Sequence, residues 1–136
     1  MELDWEGLNV AFAARSLQMN HFLDLETGEV HAHLNGSLEL RSALEKERAG
    51  RYLRIPKSTP DVDRARCLEF LPRMESEDAR RLAAKALEEL SGAASVNAFR
   101  MALVGFGNDE AAWFVFRDRC VREELRTWLR AAGVEV

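Results

Sequence analysis

An α+β fold is what this sequence predicts, and two features carry the prediction. Residues 21–34, HFLDLETGEVHAHL, have the pattern of a β-hairpin, and the chain after Thr59 carries helical spacing almost without interruption. In the hairpin, Asp24 can accept hydrogen bonds from following amides, Thr27 tolerates a tight turn, and Gly28 supplies a position of positive φ. Several loop registers fit this turn, and in most of them Leu23 shares a face with Val30, Ala32 and Leu34, while Asp24, His31 and His33 point away as outer polar positions. Because a two-stranded hairpin is marginal alone, helices or a third strand must cover the apolar face.

The elements follow in order. Asp4 suits an N-cap, with Leu3 and Leu8 spaced as a hydrophobic staple, and Trp5, Leu8 and Phe12 form an apolar stripe, so a first helix is expected from Trp5 to about Ala14. After the hairpin, SLELRSALEKERAG places Leu40 and Leu44 at helical spacing with Gly50 as a stop, which reads as a short exposed helix. YLRI at 52–55 is rich in β-formers and ends before Pro56, so it offers a third strand. Thr59 and Pro60 open a helix to about Leu71, with Asp61 and Asp63 in the first turn, where the helix dipole favours acids. Ser76 opens the next, in which Ala79, Leu82, Ala83, Ala86, Leu87 and Leu90 repeat at amphipathic spacing until Gly92. A shorter apolar helix is expected from Ser95 to Val104. The last is capped by Asn108 or Asp109 and ends near Gly133, with an inward stripe of Trp113, Phe116, Cys120, Val121, Leu125, Trp128 and Leu129. The expected architecture is an N-terminal helix, a small antiparallel sheet built on the 21–34 hairpin with strand 52–55, and a four-helix C-terminal portion covering the sheet. No internal repeat or low-complexity linker interrupts residues 1–136, so a single domain is expected.

Composition narrows the function classes. With 47% hydrophobic residues, 136 residues are enough to bury a core without disulfides or metal. Cys67 and Cys120 fall on helices rather than in a paired framework, which suits a reducing cytosol, and the first residues, MELDWEGL, are acidic where a secretory signal would be basic. A cytoplasmic protein without a membrane partner is expected. The net charge is −4, distributed unevenly: residues 1–50 are strongly acidic and residues 51–73 carry a basic excess. The bulk field opposes non-specific nucleic-acid binding, but a local basic strip is compatible with it.

That strip consists of Arg51, Arg54, Lys57, Arg64 and Arg66 with Tyr52 among them, a combination able to contact phosphates and stack on a base, or simply a solvated face. His31 and His33, two apart on a strand, make half of a metal site that His21 or Asp24 would have to complete, and no spacing fixes a third ligand. An Asp24–His31 acid/base pair is imaginable across the strands, yet no nucleophile, phosphate-binding loop or zinc motif accompanies it. No catalytic residue, metal ligand or cofactor is therefore expected. The Trp113, Phe116 and Trp128 stripe is either core or a partner-binding face, and its match to the apolar spacing of residues 82–90 favours core.

Three pieces in order, FLDLETGEV at 22–30, RYLRIP at 51–56 and WFVFRD with REELRTWLRAAGV at 113–134, give the chain a resemblance. From DWEGL at Asp4 to the end it is similar to a small bacterial family known as uncharacterised protein family zero-one-five-eight. That resemblance implies domain unity and a bacterial cytosolic setting, with no activity, cofactor or partner assigned. It also exposes a departure: where members carry a basic GAFRRFK-like run, SVNAFRMAL keeps Phe99 and Arg100 but little other positive charge. The resulting expectation is a non-catalytic regulatory or protein-interaction module with an unknown protein partner. A nucleic-acid-associated protein using the strip at 51–66 is the alternative, and a small enzyme comes third.

Overall fold

The turn chemistry forms the hairpin where it was expected. In the computed structural model, which describes residues 2–14 and 16–136, β1 (Met19–Asp24) and β2 (Val30–Leu34) pair antiparallel, Leu23 against Val30 and Met19 against Leu34. Gly28 takes φ of +78°, and its N–H donates to the Asp24 carbonyl at 2.8 Å. β3 (Tyr52–Arg54) joins the other side of β1, giving the strand order β2-β1-β3. The chain divides into two compact units, Met1–Ser58 and Thr59–Val136.

In the first unit the sheet has a helix on each face. α1 (Trp5–Ala13) starts at Asp4, whose side chain accepts from the Gly7 N–H at 2.9 Å. It lies against the Leu23 face, buries Leu8, Ala11 and Phe12, and approaches β2 closely at Gly7, where an added Cβ would sit 3.1 Å from the Val30 Cβ. α2 (Leu38–Arg48), capped by Ser37, covers the opposite face. Its Ala43 is buried with Phe22 and Tyr52, and Leu40 and Leu44 pack against them. Two expectations are corrected here. The second helix is not a mere exposed segment, and the face bearing Asp24, His31 and His33 is not an outer one. Strand alternation places Phe22 and Tyr52 on that face, which supplies the apolar surface that recruits α2.

The second unit is helical, as expected: α3 (Pro60–Phe70), a short 3₁₀ turn (Leu71–Arg73), α4 (Glu77–Glu89), α5 (Gly92–Leu103) and α6 (Gly107–Ala131). Thr59 and Ser76 cap α3 and α4 with their hydroxyls. Its core gathers Phe70, Ala83, Leu87, Phe99, Leu103 and Trp113, with Phe99 edge-on to Trp113 at 5.0 Å. Three boundaries differ from expectation. α4 ends at Glu89 and Gly92 opens α5 rather than closing α4, its φ of +57° turning the chain between the helices. α6 begins at Gly107 without a side-chain cap, because the Asp109 carboxylate is aimed at another element: it accepts from Glu75 N–H at 2.8 Å and Ser76 N–H at 3.0 Å, just ahead of α4. In the α6 stripe Trp113, Phe116, Val121, Leu125 and Leu129 are buried, whereas Cys120 and Trp128 are half-buried. No helix among the described residues is long and apolar enough to cross a membrane.

Candidate functional site

On the sheet face under α2, Asp24 is the centre of a hydrogen-bonded knot. Its carboxylate is buried, accepts from the Glu26 N–H at 2.9 Å, and takes two hydrogen bonds from Arg51, Nε at 3.3 Å and Nη2 at 3.1 Å. Those Arg51 bonds, more than the opposing effect of burial, hold the Asp24 carboxyl down at about 2. His31 Nε2 stands 4.0 Å from Asp24 and 3.7 Å from Glu29, with its ring stacked on Tyr52 at 5.6 Å and on His33 at 6.4 Å. This arrangement fixes the turn to the start of β3. A carboxylate so acidic and already held by a guanidinium has little basicity to offer at neutral pH, and 4.0 Å is too long for a hydrogen bond to His31.

The histidines are likewise absorbed into packing. Burial pushes the pKa values of His21 and His33 down, with the Lys57 charge adding to the effect at His21 and His31 at His33. His21 Nδ1 and His33 Nε2 are buried without a hydrogen-bond partner. Among the described residues no three His, Cys, Asp or Glu side chains are placed to hold a metal ion. Cys67 is buried, its thiol pushed up to about 12 by burial, so it is a packing residue rather than a nucleophile.

The basic strip is divided between the two units and its charges are engaged. Arg51 binds Asp24 and reaches Glu26 at 3.5 Å, and Arg54 makes a two-pronged contact with Glu47 and donates to the Asn20 side chain at 2.9 Å. Lys57 donates to the backbone carbonyls of Ser16 and Met19. Tyr52 is buried between Phe22 and His31, with Lys46 over its ring at 5.1 Å. In the second unit Arg64 donates to the Leu87 carbonyl at 2.8 Å, and Arg66 is buried between Asp63 and Glu124. A phosphate would have to displace these partners, so the geometry gives the residues a stapling role.

The open chemistry lies along the first half of α6. Phe114 is 45% and Val115 60% exposed, between two shallow grooves. One, about 400 Å³, runs between Phe70 and Arg73 on one side and Ala112, Val115, Phe116 and Arg119 on the other, with the Arg73 guanidinium 4.7 Å above the Phe116 ring. The second, about 320 Å³, lies toward α5, where Met101, Val104 and Phe114 rise as exposed walls over Trp113. Trp113 is itself buried, and its Nε1–H has no acceptor. Sequence reasoning missed this surface although a signal was present. Four successive large apolar residues, WFVF at 113–116, cannot all face inward at 100° per residue, so the two middle ones must leave the core stripe. No family model, curated protein or solved structure matches the chain.

Proposed function

We propose that this chain is a non-catalytic protein-interaction module of regulatory type, docking a partner along the first half of α6. The observation that carries the reading is the pair of apolar grooves flanking exposed Phe114 and Val115. Open, shallow and lined mainly by apolar side chains, they suit a protein segment better than a small molecule, which enzymes and carriers enclose on most sides. Aromatic and aliphatic anchors set beside an ordered core are the usual carriers of binding energy, and Arg73 and Arg119 supply a polar rim. The bacterial cytosolic setting belongs to the same proposal and rests on the family resemblance.

The test is affinity capture from bacterial lysate with the wild-type chain and with Phe114→Ser plus Val115→Ser, followed by binding measurements on each purified candidate. These side chains stand outside the core, so the circular dichroism of the variant should match wild type. A partner that binds wild type and loses at least about tenfold in affinity to the variant, or about 1.4 kcal/mol, supports the reading. Partners that bind both equally, or none that binds at all, contradict it.

A further inference from the structure

The two edges of the sheet are treated differently. β3 ends in Arg54 and is flanked by Arg51 before it and Pro56 two residues after it, the charges and the proline that keep an edge strand from recruiting another strand. β2, VHAHL, carries no Lys, Arg, acid or proline. The hydrogen bonds at its ends, Asp24 N–H to the Glu29 carbonyl and Asn35 N–H to the Gln18 carbonyl, fix the pattern of the ladder. Residues 29, 31, 33 and 35 turn their backbone groups toward β1, so Val30, Ala32 and Leu34 turn theirs to the open edge. Among the described residues the edge is closed at its ends, where the Gly28 carbonyl accepts from Asp4 N–H and the Leu34 carbonyl from Ser37. Beside it Ala32 and Leu34 are exposed on the sheet face, as are Leu17 and Leu38 next to the strand ends.

We propose that β2 pairs antiparallel with β2 of a second copy of this chain, centred on Ala32, to make a continuous six-stranded sheet across a two-fold axis. The second copy fits better than an unrelated strand because the pattern is self-complementary. Outward backbone groups meet outward groups when Ala32 faces Ala32 and the Leu34 N–H, whose own carbonyl is held by Ser37, faces the Val30 carbonyl, and the same pairing sets His31 against His33 and Glu29 against Asn35. No Lys, Arg, Asp or Glu of one strand is set against a like charge of the other. The small side chain at the centre allows close approach, and exposed Leu34 gains an apolar neighbour in Val30 of the second copy. Such an interface is smaller than that of an obligate dimer, so association in the micromolar range is expected.

Sedimentation equilibrium of the full chain at about 10 to 500 µM, where small interfaces associate, measures this. Ala32→Pro removes an N–H that points to the open edge and leaves the β1 ladder intact, and Ala32→Lys places two charges against each other at the axis. A wild-type dimer, with both variants at least about tenfold weaker and their circular dichroism unchanged, supports the proposal. If Ala32→Pro does not fold, Ala32→Lys alone decides. A wild-type monomer throughout, or a dimer indifferent to a folded Ala32 variant, overturns it. Either result leaves the α6 reading untouched, because Phe114 and Val115 belong to the other unit.

Discussion

At the scale of single residues, Asp24 shows what one buried carboxylate does in a small sheet. It terminates β1, receives Glu26 across the turn, and binds Arg51 at the start of β3, so three chain segments converge on one charge. Its turn role was legible from its spacing to Gly28. Arg51, 27 residues away, was not, because only the register of β3 brings it there. Acid should lower the stability of the protein in two pH ranges. His21 and His33 are depressed in the folded state, so their contribution is complete above the ordinary histidine value of 6.5 and is lost as pH falls below it. Asp24, lowered from 3.8 to about 2, contributes fully above 3.8 and loses its contribution as pH falls toward 2. Melting temperature measured from pH 8 to 2 should fall first below about 6.5 and again below about 4, and His21→Gln plus His33→Gln should remove the first step only. At the turn, Gly28→Val puts a β-branched residue at φ of +78° and should cost about 1–3 kcal/mol in urea unfolding.

At the scale of elements, amphipathic spacing located the six α-helices of the described residues and the caps Asp4, Thr59 and Ser76 opened three of them, and the misreadings have identifiable causes. Gly92 belongs to α5 alone: its positive φ turns the chain after α4 has ended at Glu89, and a glycine at that spacing reads equally well as a stop or as a start. Asp109 has the composition of a cap for its own helix but is buried against the amides preceding α4, a partnership 33 and 34 residues away that no local rule encodes. Within the α6 stripe, the contacts decide between two tryptophans that look equivalent in sequence. Trp113 packs on Phe70 at 5.4 Å, on Phe99 and on Phe116, whereas Trp128 keeps partial exposure. Trp113→Ala should therefore cost about 3–5 kcal/mol in chemical denaturation, and Trp128→Ala distinctly less. Equal losses would mean that the α6 packing has been misassigned.

At the scale of the whole molecule, 19 basic residues against 23 acidic ones leave a net charge of −4, and the positive residues of 51–66 are committed to internal partners in two separate units. Binding to DNA or RNA at physiological salt is accordingly expected to be no tighter than about micromolar, checked by fluorescence anisotropy across a salt series. Submicromolar binding that weakens steeply with salt would restore the strip as an interface. The basic strip was legible as composition but not as geometry, since pairing depends on which carboxylates the fold brings near. The apolar surface of α6 was legible as the run WFVF, yet its two grooves required the positions of α3 and α5.

Site-specific photo-crosslinking in bacterial cells tests the docking proposed for that surface most directly. A photoreactive residue placed at Phe114 or Val115 should give the same discrete adduct with one partner protein, while one placed at Arg81, exposed on α4, should give none. Absence of a discrete adduct at both α6 positions, or the same adduct from Arg81, would contradict the account.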